Sequence, residues 1–197
     1  MVADLELLTQ WGSGDHDAGS ELFARYFDGL FRFFATKVDD EVDDLVQATF
    51  LNCVKYRARL QEADSFKAYL YSIARRRLYQ HLTVKIRAKA IDFSTSSIVD
   101  LGGSLSSIVG HREEERLLLV ALRSLPVELQ VLLELHYWEG MTIDESAQVL
   151  DTPLGTAKTR LRRARALLRD RLGGREDALE RIAAAASIGA AGSTPDS

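Results

Sequence analysis

The chain has 197 residues, enough for one mid-sized domain or two small ones, with ordinary apolar (46%) and charged (27%) shares. Its single cysteine excludes an intrachain disulfide and a cysteine-rich metal site, and no apolar run is long enough to span a bilayer. A formal net charge of −4 argues against a uniformly basic nucleic-acid binder, but the charge is unevenly spread. Residues 39–44 hold five acids in six positions, whereas 75–89 hold Arg75, Arg76, Arg77, Lys85, Arg87 and Lys89 with no acid among them. Separate patches of opposite sign imply at least two partners, one basic and one nucleic acid. The N-terminus shows no secretory leader pattern, so the expected location is the cytoplasm.

Only three prolines occur and strand-like alternation is absent, so the fold class is all-α. Leu5, Leu8 and Trp11 begin a short helix that Gly12-Ser13-Gly14 ends. Ala18 to Lys37 is a second helix, dense in phenylalanine and leucine, an aromatic load that belongs to a core. A third runs from about Glu41 to Arg57, where Val42, Leu45, Val46, Thr49, Phe50, Cys53 and Val54 recur at helical spacing. Cys53 on that stripe reads as a small buried hydrophobe. Asp43, Asp44 and Gln47 stand off the stripe. The helix dipole accounts for one or two acids at a helix start, but less readily for five.

Residues 58–65 form a loop or break, and a fourth helix spans about Phe66 to Leu82. Phe66, Leu70, Ile73 and Ala74 point inward; Tyr71, Arg75 and Tyr79 recur on another face, with Arg76 beside them. Two readings of that face stand level. It takes single-stranded nucleic acid, phosphates on arginines and bases on rings, or it is a row of tyrosines packed on arginine stems. Residues 91–111 are rich in serine and glycine and lose periodicity, which marks a flexible linker. It divides an N-terminal helical domain at 1–90 from a C-terminal one at 112–173. Residues 174–197 form an alanine-rich tail expected to be disordered.

The second domain opens with a leucine-rich helix from Arg112 to Arg123. A further helix restarts after Ser124-Leu125-Pro126, turns Leu129, Leu132 and Leu133 inward, and ends near Gly140. Thr142 and Glu145 then spell a capping box, so a helix starts there, with Ile143, Ala147 and Leu150 on one face. Thr152 is placed to cap the next helix, with Pro153 at its first position. That helix carries Leu154, Ala157, Leu161, Ala164 and Leu168 on one side. Its N-terminal turns present Thr156, Lys158, Thr159, Arg160, Arg162 and Arg163. Two short helices around a tight turn, the second basic on its free side, describe a helix-turn-helix. The N-terminal residues of such a helix reach base edges in the major groove, and later arginines meet phosphates. A solvated basic helix is the plainer explanation, but the capping box, turn chemistry and one-sided stripe together favour DNA.

Three blocks, D-E-V-D-D-L-V-Q-A-T-F-L (40–51), S-F-K-A-Y-L-Y-S-I-A-R-R-R-L (65–78) and 124–164, stand in an order and spacing that resemble an extracytoplasmic-function sigma factor of bacterial RNA polymerase. The resemblance covers roughly residues 5–172. It implies a polymerase specificity subunit, with no catalysis and no cofactor, whose first domain melts the minus-ten element and whose second reads the minus-thirty-five element. It assigns Asp43, Asp44 and Gln47 to the core polymerase interface. Arg59, Gln61, Phe66, Tyr69, Arg75, Arg76 and Tyr79 go to the melted strand, and Thr156, Lys158, Thr159, Arg160, Arg162 and Arg163 to the upstream duplex. Its partners would be core RNA polymerase and promoter DNA, duplex and melted, with no membrane insertion; family members are often held by an anti-sigma protein, a further candidate partner. Departures from the family pattern are Gln80 for an acid, Ala157 for valine and Ser146 for isoleucine. A buried Ser146 hydroxyl would cost about 1–3 kcal/mol unless bonded, and the Thr142 carbonyl four residues back is placed to accept it. The alternative is a stand-alone helix-turn-helix regulator with a helical sensor domain. An enzyme fits poorly: His16, His81, His111 and His136 are scattered, without a metal-ligand spacing.

Overall fold

The computed structural model describes residues 3–55, 65–86, 91–103 and 113–173. Eight helices form among them: α1 (Asp4–Gly12), α2 (His16–Ala35), α3 (Val42–Lys55), α4 (Phe66–Ile86), α5 (Glu113–Arg123), α6 (Val127–Tyr137), α7 (Ile143–Leu150) and α8 (Leu154–Arg171). No described helix is long and apolar enough to cross a membrane. The expected loop around Arg59 and Gln61, the end of the linker and the C-terminal tail lie outside the described residues.

The first half is a bundle of α1 to α4. Asp15 caps α2, its carboxylate accepting from the backbone N–H groups of Asp17 and Ala18. Gly19 lets α1 close onto α2, because a Cβ there would come within 2.7 Å of the Trp11 ring. The aromatic load of α2 is core: Phe33 and Phe34 are buried, and Phe33 meets Tyr71 of α4 edge-on at 5.5 Å. Leu45, Val46, Thr49 and Cys53 of α3 are buried as their spacing predicts. Burial pushes the Cys53 thiol up to about 12, so it stays protonated at neutral pH.

The second half is α5 to α8. In α6 the spacing predicts three inward leucines, but the helix is covered all round: Val127 and every residue from Leu129 to Leu135 are buried, Gln130 and Glu134 included. The capping box forms as its residues predict. Thr142 Oγ1 accepts from the Glu145 N–H, and the Glu145 carboxylate accepts from the Thr142 N–H at 2.8 Å. Ser146 is buried and donates to the Thr142 carbonyl at 2.9 Å, which satisfies its hydroxyl. Asp151 turns the chain with φ 51°, a left-handed conformation that aspartate tolerates better than most side chains. The start of α8 differs from expectation. Pro153, not Thr152, holds the cap position and no side chain caps it, while the Thr152 N–H donates to the Ala147 carbonyl at the end of α7.

Residues 91–103 adopt defined turns. Asp92 accepts from Ser94, and Asp100 accepts from the Ser97 backbone and hydroxyl. Ile98 is buried, and the Val127 and Glu128 N–H groups donate to the Ser96 and Phe93 carbonyls. Loss of helical periodicity therefore marks a non-helical segment that is fixed by Asx-type turns. The two halves also touch directly, with α4 lying against α7 and the end of α2 against α6.

Candidate nucleic-acid interface and acidic docking face

α8 has a buried seam of Ala157, Leu161, Ala164 and Leu168, held on α6 and α7. Everything else follows from that seam at 3.6 residues per turn. Thr156, Lys158, Thr159, Arg162 and Arg163 are exposed on the outer face, joined by Arg165 and Arg169. Arg160, expected in the same set, is turned back toward the body and pairs with Glu128 of α6 at 2.8 Å. A single helix can approach a major groove with only one side, so Arg160 is the member this geometry separates from the rest.

The expected melted-strand residues divide three ways. Arg59 and Gln61 lie outside the described residues. Phe66 is 3% exposed and packs edge-on against Tyr26, so it is core, not a free ring. Tyr69 is half-buried, and Arg75, Arg76 and Tyr79 gather with Gln80 and Thr83 along one open groove of α4. Within it the Arg75 guanidinium sits 5.5 Å from the Tyr79 ring centre, and Tyr79 stacks on Phe93 at 4.0 Å. Burial, then the nearby Glu128 carboxylate, raises the Tyr79 hydroxyl above its ordinary range. Tyr71, expected on the same open face, is fully buried. Helix α4 is enclosed on two sides, by α2 and α3 and by α7, so it shows no single inward stripe, and spacing alone misassigned Tyr71.

The acidic run is divided by function. Asp39 pairs with Arg123 at 2.9 Å, Asp40 with Lys85 at 2.6 Å and Glu41 with His81 at 3.2 Å. The Lys85 ammonium holds the Asp40 carboxyl below its ordinary value. Asp43 and Asp44, in the first turn of α3, are exposed and form no ion pair with a described residue. Asp43 and Gln47 border a shallow groove between α2 and α3, floored by Phe23, Phe27, Val46 and Phe50. Leu51 and Val54 at its end are 60% and 45% exposed. Sequence reading found the acids but missed the apolar groove, because Phe27 and Val54 sit at core-like spacing while facing water. Among the described residues no cluster of histidine, cysteine and carboxylate side chains could hold a metal ion.

This arrangement of charged surfaces coincides with two matches to family models. Residues 22–87 match Sigma-70 region 2 and residues 115–168 match Sigma-70 region 4. The chain belongs to the extracytoplasmic-function branch of the sigma-70 family. It is 25% identical over 184 residues to the ECF RNA polymerase sigma-E factor of Haemophilus influenzae, covering 87% of this chain and 96% of that one. It is also 25% identical over 175 residues to the sigma-E factor of Escherichia coli K12, covering 84% and 92%. Among solved structures it is similar to CnrH in complex with the cytosolic domain of CnrY, with a TM-score of 0.61 and 22% identity over 89% of this chain and all of that one. It is similar as well to the sigma factor RpoE in complex with the anti-sigma factor NepR from Bartonella quintana, with a TM-score of 0.58 and 18% identity over 75% and 91%. Regions 2 and 4 thus correspond to the α2–α4 and α5–α8 parts of the fold.

Proposed function

We propose that this chain directs core RNA polymerase to promoters, helps melt the minus-ten element and starts transcription, carrying out no reaction of its own and acting in the cytoplasm. The observation that carries this reading is that region 2 and region 4 occur in one chain, in that order, each with its own exposed charged face. A free-standing regulator needs only the α8 face; it has no use for an acidic, apolar-floored surface on the opposite half.

In this reading Asp43, Asp44 and Gln47, with the groove between α2 and α3, dock on a basic surface of the polymerase. Apolar floor and charged rim are the usual anatomy of a protein interface. The outer face of α8, from Thr156 to Arg163 without Arg160, reads the upstream duplex. The groove of Arg75, Arg76 and Tyr79, together with Tyr69, Arg59 and Gln61, receives the unwound strand. An anti-sigma protein is a further proposed partner, supported by the solved RpoE–NepR pair.

Reversing charge at the docking face separates this reading from its alternative. Asp43→Arg with Asp44→Arg removes no internal ion pair to a described residue, so the variant should stay helical, with a melting temperature lowered only modestly because two cations replace the acids in the first turn of α3. Co-purification with core polymerase should fall at least about tenfold, as expected when two rim charges meet like charge. Unchanged co-purification of the folded double variant would reject the assignment.

A further inference from the structure

Residues 174–197 follow α8 and lie beyond both family matches, which end at 87 and 168. Their sequence is patterned. Leu179, Ile182, Ala183 and Ala186 recur at i, i+3, i+4 and i+7, and Glu176 and Glu180, four apart, flank that stripe. Asp177 adds a third acid beside them. A short apolar row edged by carboxylates fits a surface that sets an apolar strip beside cations.

Of the three exposed faces described above, one offers both. On the outer face of α8 the exposed residues from Thr156 to Arg163 are threonine, lysine and arginine, with no apolar strip. The groove between α2 and α3 is apolar, but Asp43 borders it and Asp44 stands beside it, so acids are repelled. On α4, Arg76, Gln80 and Val84 stand one turn apart in an exposed row, about 12 Å long at helical rise. Val84 is 76% exposed, and Thr83 and Tyr79 complete the groove wall. Arg75 is engaged, donating through Nη1 to the Leu150 carbonyl at 2.9 Å, whereas the Arg76 guanidinium pairs with no described residue.

The tail also starts beside this groove. The turn at 97–103 packs on the last turns of α4, Ile98 and Leu101 sharing a small cleft with His81, Leu82 and Lys85. The Asp100 carboxyl of that turn is held below its ordinary value by the Ser97 hydroxyl and backbone N–H, and further by Arg171 in the last turn of α8. Helix α8 therefore leaves the fold next to the end of α4 that carries Val84. Leu179 and Ile182 follow Gly173 closely, within about 20 and 30 Å of extended chain. So short a tether gives an effective concentration of about 1 mM, and a contact with a dissociation constant of about 0.1 mM then covers the groove in roughly nine molecules of ten. A competing strand binds about tenfold more weakly as a result.

We propose that the open groove of α4 is the docking site of this chain's own tail, Glu176 and Glu180 facing Arg76 while Leu179 and Ile182 face Val84, so that tail and unwound strand compete for one surface. The competition rests on the strand assignment made above; the docking does not.

The test places a nitroxide on the tail of the full chain at Ala184→Cys, off the apolar stripe; the buried Cys53 stays unlabelled. Amide resonances should be broadened most at Gln80, Thr83 and Val84, and less on the outer face of α8 and at Asp43 to Gln47. Glu176→Lys with Glu180→Lys should abolish the broadening, and adding Arg76→Glu to that pair should restore it. Broadening strongest on α8 or on the α2–α3 groove, none at all, or broadening seen only between a spin-labelled copy and a separate isotope-labelled copy would each overturn the proposal. With core polymerase and a promoter fragment, Glu176→Lys with Glu180→Lys should form open complexes at about tenfold lower concentration. Unchanged open-complex formation by a variant that has lost the broadening would overturn the competition. A chain that shows the broadening but directs no transcription would reject the promoter reading and leave the docking standing.

Discussion

At the scale of single residues, the structure separates side chains that look equivalent in the sequence. Arg160 and Arg163 stand one turn apart on a basic helix, yet Arg160 is tied to Glu128 while Arg163 is exposed. Arg163→Ala should therefore weaken binding of the upstream element by polymerase carrying this chain by about 1–3 kcal/mol, the range of one lost base contact. Arg160→Ala should weaken it by much less and should lower the melting temperature slightly. Quantitative footprinting across the two variants checks the order; equal losses would put Arg160 on the DNA as well. Periodicity identified the α8 face because the helix is buried along one seam. The same reasoning failed at Tyr71, because α4 is covered from two sides, but it placed Phe66 inward, where it is; the melted-strand role of Phe66 came from the family resemblance alone.

At the scale of elements, local chemistry was legible wherever the partners are near in sequence. The capping box of α7 lies within four residues and forms as read. The Ser146 hydroxyl finds the expected carbonyl, and the spacing along α3 gives its buried face. Thr142→Ala should remove about 1 kcal/mol of stability, read as a lower urea midpoint. The box also carries a pH dependence. The Thr142 N–H, donating to Glu145, holds that carboxyl below its ordinary value of 4.5. A carboxyl lowered in the folded state adds stability that is present above 4.5 and is lost as pH falls through the folded value. Hydrogen exchange of the α7 amides should accelerate in that window relative to the rest of the second half. In Glu145→Gln, which keeps the acceptor but does not titrate, the acceleration should vanish; its persistence would assign the effect to another group. The start of α8 was misread by one residue: the helix begins at Leu154 with Pro153 in the cap position, so Thr152 stands one place too early to cap it.

At the scale of the molecule, the sequence revealed two helical halves and an acidic run opposed to a basic helix, but not how the halves meet. Lys37, Glu134 and Arg123 are ordinary charged residues when read along the chain, and nothing in their spacing marks them as buried. Their burial depends on contacts across about a hundred positions, which no local pattern encodes. The acidic run illustrates the same limit. Five carboxylates look alike until tertiary structure gives Asp39, Asp40 and Glu41 internal partners and presents Asp43 and Asp44 outward. Division of charge between an acidic docking face and two basic template faces is the central claim. Its most direct test is transcription in vitro from genomic promoter fragments, with purified core polymerase alone and with this chain added. Defined transcripts should start only when the chain is present, and they should disappear with Asp43→Arg and Asp44→Arg. Duplex binding by the chain alone, with no chain-dependent start site on any fragment, would contradict the account.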